Sequence, residues 1–591
     1  MKSSSAVQTD AGRLLHGLDG DQLPCVTAPP GPIAVVARAG SGKTRVLTRR
    51  IAYRAANGDL DPSKTLVLTF TRKAAEDLRQ RLGQEHVQDV AAGTFHAVGY
   101  KLVELHREHV GGTRRTITGN PLRLMTDACQ KLPVRPADVL EHLERRTALD
   151  TADSDDHHAQ GLAEPLVEAI ERYRQLKRRR GILDFGDLLT APIQLIESDP
   201  VFRAVVAWRF CHVLVDEAQD MTPLQWRFVK TIVGDSVDLF LVGDPSQSIY
   251  GWQQADPAIL TETLARDFPG VQRFELPTNY RSAPSVVRIA DTVLRPTEPT
   301  RYNRDDEGQV LVREFASVAE EAEAIAWEIR RLRAAGMGWT EIAVLARTND
   351  RLSAIHSCLA KRGIPTRGGQ FLRQLFVRSC LEAFQFSGPE IAAASCVTVM
   401  REIVQEKLDD LQADHVRLGN EDSDDEVGDL PELSQARAAG VKLVALTGEW
   451  AAEYPGNTKS FFLDYLNGAL RSRGGNPDEG SPGVEVLTFH RAKGLEWRHV
   501  FVVGLEDDLM PLVHSADTGE ERRLLYVALT RATLSVQVSW CRSRADMAAT
   551  GPSRYLDRIK RAADTTIATP EPSASESVAA IRSLLNAGVG S

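Results

Sequence analysis

Two short apolar runs, Ile33 to Ala37 and Phe210 to Val215, each break into a loop rich in small or acidic residues. Apolar runs of about five residues bounded by loop signals read as strands buried on both faces, the kind that builds parallel α/β sheets. The first run continues as Arg38-Ala39-Gly40-Ser41-Gly42-Lys43-Thr44. Small residues there let backbone N–H groups curl around phosphate oxygens, and Lys43 adds positive charge. Thr44 is placed to hold Mg²⁺. The second run delivers Asp216 towards the same metal and Glu217 towards a water attacking a terminal phosphate, which is ATP-hydrolysis chemistry. Ala37 stands where a strict phosphate loop begins with glycine, so the first motif alone also reads as a plain turn. The acidic pair alone also reads as a solvated strand end. The shared strand-then-loop layout favours a nucleotide site.

Further buried-strand candidates at 65–69 and 238–242, with a helical stretch at 73–82, extend the first sheet. A second series follows at 309–315, 342–346, 484–488 and 500–503, interleaved with a helical pattern at 320–332. Alternation of this kind implies two similar parallel α/β sheets. Each series is interrupted by a segment with little strand signal, which reads as a helical insertion. The expected organisation is a first sheet domain at 1–100 and 181–272 with an insertion at 101–180. A second sheet domain covers 273–384 and 481–562, with a shorter insertion at 385–480. A linker and tail at 563–591 carry Val578, Ile581, Leu584 and Leu585 on one helical face.

At 591 residues the chain has room for about four domains of ordinary size. Its formal net charge of -9 argues against a polyanionic partner only superficially, because residues 419–433 hold seven acids and no bases. Basic residues concentrate elsewhere, as at Lys177-Arg178-Arg179-Arg180, and local charge governs binding. That run reads either as a phosphate contact or as a solvated charged face. Seven cysteines are scattered without a CxxC pair, which points to a reducing interior rather than to zinc or a disulfide framework. His157 and His158 beside Asp155 and Asp156 are poor chelators in a polar loop, so no metal is assigned there. Neither an apolar signal core near Met1 nor a run of roughly 20 apolar residues is present, so the expectation is a cytoplasmic, nucleoid-associated protein with no membrane contact.

The order of motifs resembles that of the UvrD/Rep/PcrA group of superfamily 1 helicases. Gln22 resembles the glutamine that reads adenine ahead of the phosphate loop. LTFTRKAAEDL at 68–78, GTFH at 93–96 and LDFGDLL at 183–189 look like segments lining a single strand. VGDPSQSIYGW at 242–252, NYRS at 279–282, TFHRAKGLEW at 488–497 and EERRLLYVALTRA at 520–532 complete the set. The resemblance implies two RecA-like parallel-sheet domains, each with a mainly helical insertion, and ATP-driven movement along single-stranded DNA and through single-strand/duplex junctions. The implied direction is 3′ to 5′, and the implied setting is DNA repair, recombination or replication.

Residue by residue, the resemblance sets Gln22, Arg45 and Tyr280 at the adenine and Glu496 near the ribose. Ala39, Gly40, Ser41, Gly42, Lys43 and Thr44 form the phosphate loop. Arg281 and Arg531 reach the γ-phosphate, so a site begun on one sheet domain is completed by the other; guanidinium groups suit this because they stay charged and pair bidentately with phosphate oxygens. Gln247 sits beside the γ-phosphate on a loop that also carries Tyr250 and Trp252. Trp252 and Phe70 offer faces for stacking bases, with core packing the alternative. Thr71, Thr94, His96, Thr488 and His490 resemble residues near the phosphate backbone or the coupling path; both histidines also read as structural.

Arg38 replaces a glycine usual in the family loop, Gln253 stands where arginine commonly follows the tryptophan, and GDPSQ replaces GDDDQ. The shortened second insertion supports an alternative, a translocase or motor subunit of a nuclease or defence complex that unwinds little alone. A protein partner would then dock on that insertion or the tail. A non-catalytic nucleic-acid-binding scaffold is the alternative of another class, and RNA stays open as a track.

Overall fold

The computed structural model describes residues 12–111, 115–118, 121–150, 164–234, 238–367, 375–386, 391–418, 431–453, 458–459, 462, 482–513, 515, 517–544, 547–548, 551–563 and 565–568. His157, His158, most of the acidic run and the apolar face of the tail lie outside these. The chain forms two compact units, one of residues 1–37, 42–276 and 368–480, the other of 38–41, 277–367 and 481–591.

The first unit is built on a six-stranded sheet of β1 (Ile33–Ala37), β2 (Thr65–Thr69), β3 (Ala91–Thr94), β4 (His212–Val215), β5 (Leu239–Gly243) and β6 (Gln272–Leu276), in the order β3-β2-β4-β5-β1-β6. Every pairing is parallel. β2 and β5 are buried at every position, because apolar clusters cover both faces. Strands β1, β2, β4 and β5 fall where the apolar runs predict. β3 and β6 do not show as such runs: AAGT has weak strand preference, and QRFEL alternates polar with apolar as suits an edge.

The first insertion is helical, over Pro121–Ala128, Pro136–Ala148 and Glu164–Arg180, around a core including Leu124, Met125, Val139, Ile170 and Tyr173. A two-residue parallel pair, Thr116–Ile117 with Ile182–Leu183, closes its base. Helices of the second insertion, Leu375–Phe386, Ala393–Leu418 and Pro431–Glu453, share a core with the first unit: Phe384, Met400, Trp450 and Phe462 pack with Val103, Leu183 and Leu188.

The second unit's sheet contains β7 (Gln309–Ser317), β8 (Ile342–Ala346), β9 (Thr366–Arg367), β10 (Val484–Thr488), β11 (Trp497–Val503), β12 (Ala532–Arg544) and β13 (Thr565–Ala568), in the order β9-β10-β8-β11-β12-β7-β13. These pairings are parallel; the short strand Met547–Ala548 adds antiparallel to β12. Two α/β units with parallel sheets are the architecture expected from the sequence. All seven cysteines are free thiols, and among the described residues no helix is long and apolar enough to cross a membrane.

Candidate nucleotide site and nucleic-acid surface

A parallel sheet sends all its strand ends to one edge, which is where ligands bind in open α/β folds. In the first unit this edge collects Phe70 after β2, Thr94 at the end of β3, Asp216 after β4 and Asp244 after β5. The helix Lys43–Asn57 starts there, directly after the loop that follows β1, and its free N–H groups give that end positive character. Gly42 adopts φ 85°, a left-handed conformation open to glycine, and a Cβ there would come 3.1 Å from the Gln22 amide nitrogen. Gln22, on the helix Gln22–Thr27, is therefore beside the phosphate loop and buried. Arg45 donates from Nη2 to the Gly17 carbonyl at 2.8 Å.

Lys43 Nζ lies 3.3 Å from Glu217 Oε2. The N–H of Asp216 continues the β2–β4 ladder by donating to Leu68 O at 3.0 Å, which directs this residue to the sheet edge. Its carboxyl is buried, and burial, followed by the neighbouring Glu217, pushes its pKa up to about 7 while Lys43 acts the other way. Glu217 holds φ 53°, rare for a non-glycine residue, so the turn after β4 is locally strained. A buried carboxyl that resists ionisation is one that a nearby cation would stabilise as the anion. No cluster of three or more His, Cys, Asp or Glu that could hold a metal exists among the described residues.

From Glu217 a chain of short contacts runs across the sheet edge. Gln219 donates from Nε2 to Glu217 Oε2 at 2.6 Å, and its Oε1 accepts from the Asp244 N–H at 2.8 Å. Asp244 Oδ2 then accepts from Gln247 Nε2 at 2.6 Å. A Cβ at Gly243 would fall 2.4 Å from Gln219 Oε1, so the glycine makes room for this bridge. Gln219 was not among the site residues expected from sequence; its place in VDEAQD, three residues after Asp216, is the signal that marks it. The same loop continues to Tyr250, buried, and Trp252, 59% exposed, with ring centroids 6.5 Å apart.

The remaining expected contacts of the first unit have structural duties as well. Thr71 and Thr94 accept from the N–H groups of Ala74 and Ala97 and cap their helices. Phe70 packs against Phe95 with centroids 5.2 Å apart and is only partly buried, combining core and surface character. His96 meets the exposed Phe185 edge-on at 5.7 Å, and burial lowers its imidazole to about 4, so it is neutral near pH 7. The basic run differs from either sequence reading at its first residue. Lys177 is buried, with Nζ 2.6 Å from Asp184 and 2.7 Å from Asp187, because the chain folds back after the helix end. Arg178 pairs with Glu171 and Arg180 with Asp127.

In the second unit, Tyr280 donates its N–H to Gly40 O at 2.9 Å, and Asn279 Oδ1 accepts from the N–H groups of Arg281 and Ser282. A Cβ at Gly40, whose φ is 69°, would fall 2.7 Å from Arg281 Cβ, so glycine is required where these segments meet. Arg281 Nε is 2.6 Å from Glu496 Oε2, joining two residues expected on different parts of a nucleotide. Arg531 is buried: Nε donates to Val527 O and Nη1 to Leu495 O. Glu496 and Arg531 immediately precede the adjacent parallel strands β11 and β12 and so share one sheet edge. Thr488 ends β10 at the opposite edge, followed by His490 on the short helix Phe489–Ala492. Arg347 forms two-point contacts with Glu521, the nearest 2.7 Å, anchoring the helix Thr518–Leu529 that leads to Arg531.

Comparison with known proteins identifies the family. The UvrD/REP helicase N-terminal domain model matches residues 18–269, and the UvrD-like helicase C-terminal domain model matches 274–385 and 454–543. The chain is 31% identical to ATP-dependent DNA helicase UvrD2 of Mycobacterium tuberculosis, over 95% of this chain and 84% of that protein. It is 26% identical to DNA helicase II of Escherichia coli K12, covering 90% and 86% of the two chains. Against ATP-dependent DNA helicase PcrA of Staphylococcus epidermidis the identity is 25%, with 92% and 87% covered. With both halves matched and the motif residues gathered at sheet edges, the chain belongs to the UvrD-like helicase family.

Proposed function

We propose that this chain is an ATP-dependent DNA helicase that hydrolyses ATP to move 3′ to 5′ along single-stranded DNA and separate strands ahead of it, in repair, recombination or replication. The observation that carries this reading is the unbroken path Lys43–Glu217–Gln219–Asp244–Gln247, on a loop that ends at exposed Trp252. A change at the γ-phosphate is felt by Glu217 and Gln247, and the same loop presents an indole to a base. Lys43 and the phosphate-loop amides hold the phosphates, Glu217 orients and deprotonates the attacking water, and Gln22 reads the adenine. Mg²⁺, held by Thr44 and Asp216, would neutralise charge on phosphate oxygens. Arg281 and Arg531 stabilise the charge that spreads over the transferring phosphoryl group.

Strand displacement on duplexes carrying a 3′ or a 5′ single-stranded tail tests the reading. Displacement that needs the 3′ tail and ATP is expected. Displacement equally efficient from a 5′ tail overturns the polarity, and none from either tail overturns the helicase.

A further inference from the structure

The loop carrying Arg281 is tied to the segment that follows Arg531 at several points within the second unit. Ser282 donates its hydroxyl to Ala532 O at 2.8 Å in a buried contact, and the Ala283 N–H donates to Thr533 O at 2.9 Å. A third strand of chain runs alongside both. The two-residue strands Thr278–Asn279 and Arg301–Tyr302 pair in parallel, and the Asn303 N–H donates to Asn279 O at 3.1 Å. The register sets the next residue, Arg304, level with Arg281.

There, one nitrogen of Arg304 serves both arginine-bearing segments. Nη1 donates to Arg281 O at 2.8 Å and to Thr533 O at 3.1 Å, two residues beyond Arg531. The remaining guanidinium nitrogens face one carboxylate: Nε donates to Asp306 Oδ1 at 2.7 Å, and Nη2 contacts Asp306 Oδ2. Asp306 therefore fixes the plane of the guanidinium while Nη1 is left for the carbonyls, the rigid-fork geometry that lysine lacks. The far end of the segment is pinned as tightly. Gly308 has φ 77°, and a Cβ on it would come within 2.4 Å of Ala283 Cβ and Leu534 O.

We propose that Arg304 is a positioning residue that holds the Arg281 loop and the segment after Arg531 in fixed relation, so that both guanidinium groups meet the γ-phosphate together. Arg304 itself does not touch nucleotide. The inference rests on the roles proposed above for Arg281 and Arg531. Its effect falls on the chemical step rather than on nucleotide capture, because the contacts it orders strengthen as charge develops on the phosphoryl oxygens.

The test uses the full chain and measures single-stranded-DNA-stimulated ATPase kcat, KM for ATP, and Tm for R304A, R304K, D306N and R281A. R304A is expected to lower kcat by up to about a hundredfold with KM and Tm nearly unchanged, since misplacement of a group by about 1 Å costs rate on this scale. R304K, which keeps the charge and one donor direction, is expected to recover part of kcat, and D306N to fall between. Wild-type kcat in R304A while R281A is inactive would overturn the positioning role and leave the function intact. So would a loss of kcat matched by a loss of Tm and unrelieved by lysine in R304K. Unchanged turnover in R281A would overturn the underlying assignment of the arginines as well.

Discussion

Gln219 Nε2 and Glu217 Oε2 are 2.6 Å apart, so the carboxylate we propose activates water is held by an amide whose other end grips the backbone of Asp244. An amide suits this position because it donates at one end and accepts at the other, and it is fully buried where either group unpaired would cost free energy. The bridge makes a change at Glu217 mechanically available to the loop of Gln247 and Trp252.

Replacing Gln219 by Glu keeps the size but sets two carboxylates face to face. Stimulation of ATPase by single-stranded DNA is expected to fall about tenfold or more, with nucleotide binding retained, since the lost group orients rather than binds. Steady-state ATPase across a DNA titration, beside a fluorescent-nucleotide binding curve, checks this; equal loss of both would mean the bridge only supports the fold.

Trp252→Ala removes an exposed indole. Affinity for single-stranded DNA is expected to weaken by about 1–3 kcal/mol, the range for one base–aromatic stack, with ATP binding unchanged. Fluorescence anisotropy with a labelled oligonucleotide reads this directly.

Gly99 lies where the helix Phe95–Val110 crosses the helix Asp187–Ser198, and a Cβ there would fall 1.9 Å from Leu188 O. Pro192 within the second helix lacks the N–H that would have engaged this carbonyl. Gly99→Ala is expected to destabilise the first unit by about 1–3 kcal/mol despite the better helix propensity of alanine, because backbone must move. Chemical denaturation measures it; a neutral or stabilising result would contradict the close crossing.

His499 supplies a pH dependence. Its ring is buried, Nδ1 is 2.5 Å from Ser535 Oγ and Nε2 has no partner, and burial lowers the imidazole from 6.5 to about 4. Unfolded chains therefore bind more protons than folded ones between these values. The stability this supplies is present above pH 6.5 and is lost as pH falls towards 4, amounting to about 3 kcal/mol at most. Melting curves of the wild type and of His499→Gln from pH 8 to 4 are expected to show a shallower acid loss in the variant. Some slope remains from His96, whose shift has the same sign.

The convergence of the two contiguous motifs was legible in the sequence: Lys43 and Glu217, delivered by separate strands, lie 3.3 Å apart. Helix and strand positions followed wherever apolar runs were strong, as at 342–346 and 484–488. Residues whose role depends on partners across the fold were not legible. Gln219 takes its meaning from Asp244, and Arg304 from Arg281 and Thr533, contacts that no spacing rule encodes. Lys177 shows the converse. Read as one of four exposed bases, it is buried between acids that lie seven and ten residues further on. Likewise β12 was hidden, because its first residue closes a motif read for its helix and arginine rather than for the alternating strand that follows.

The most direct test is the ATPase rate of the full chain with and without single-stranded DNA, measured for the wild type, Glu217→Gln and Arg281→Ala. The account predicts strong stimulation of the wild type by DNA and loss of turnover in both variants, one from each unit. A wild-type rate indifferent to single-stranded DNA, or an Arg281→Ala variant that turns over as fast as the wild type, would contradict it.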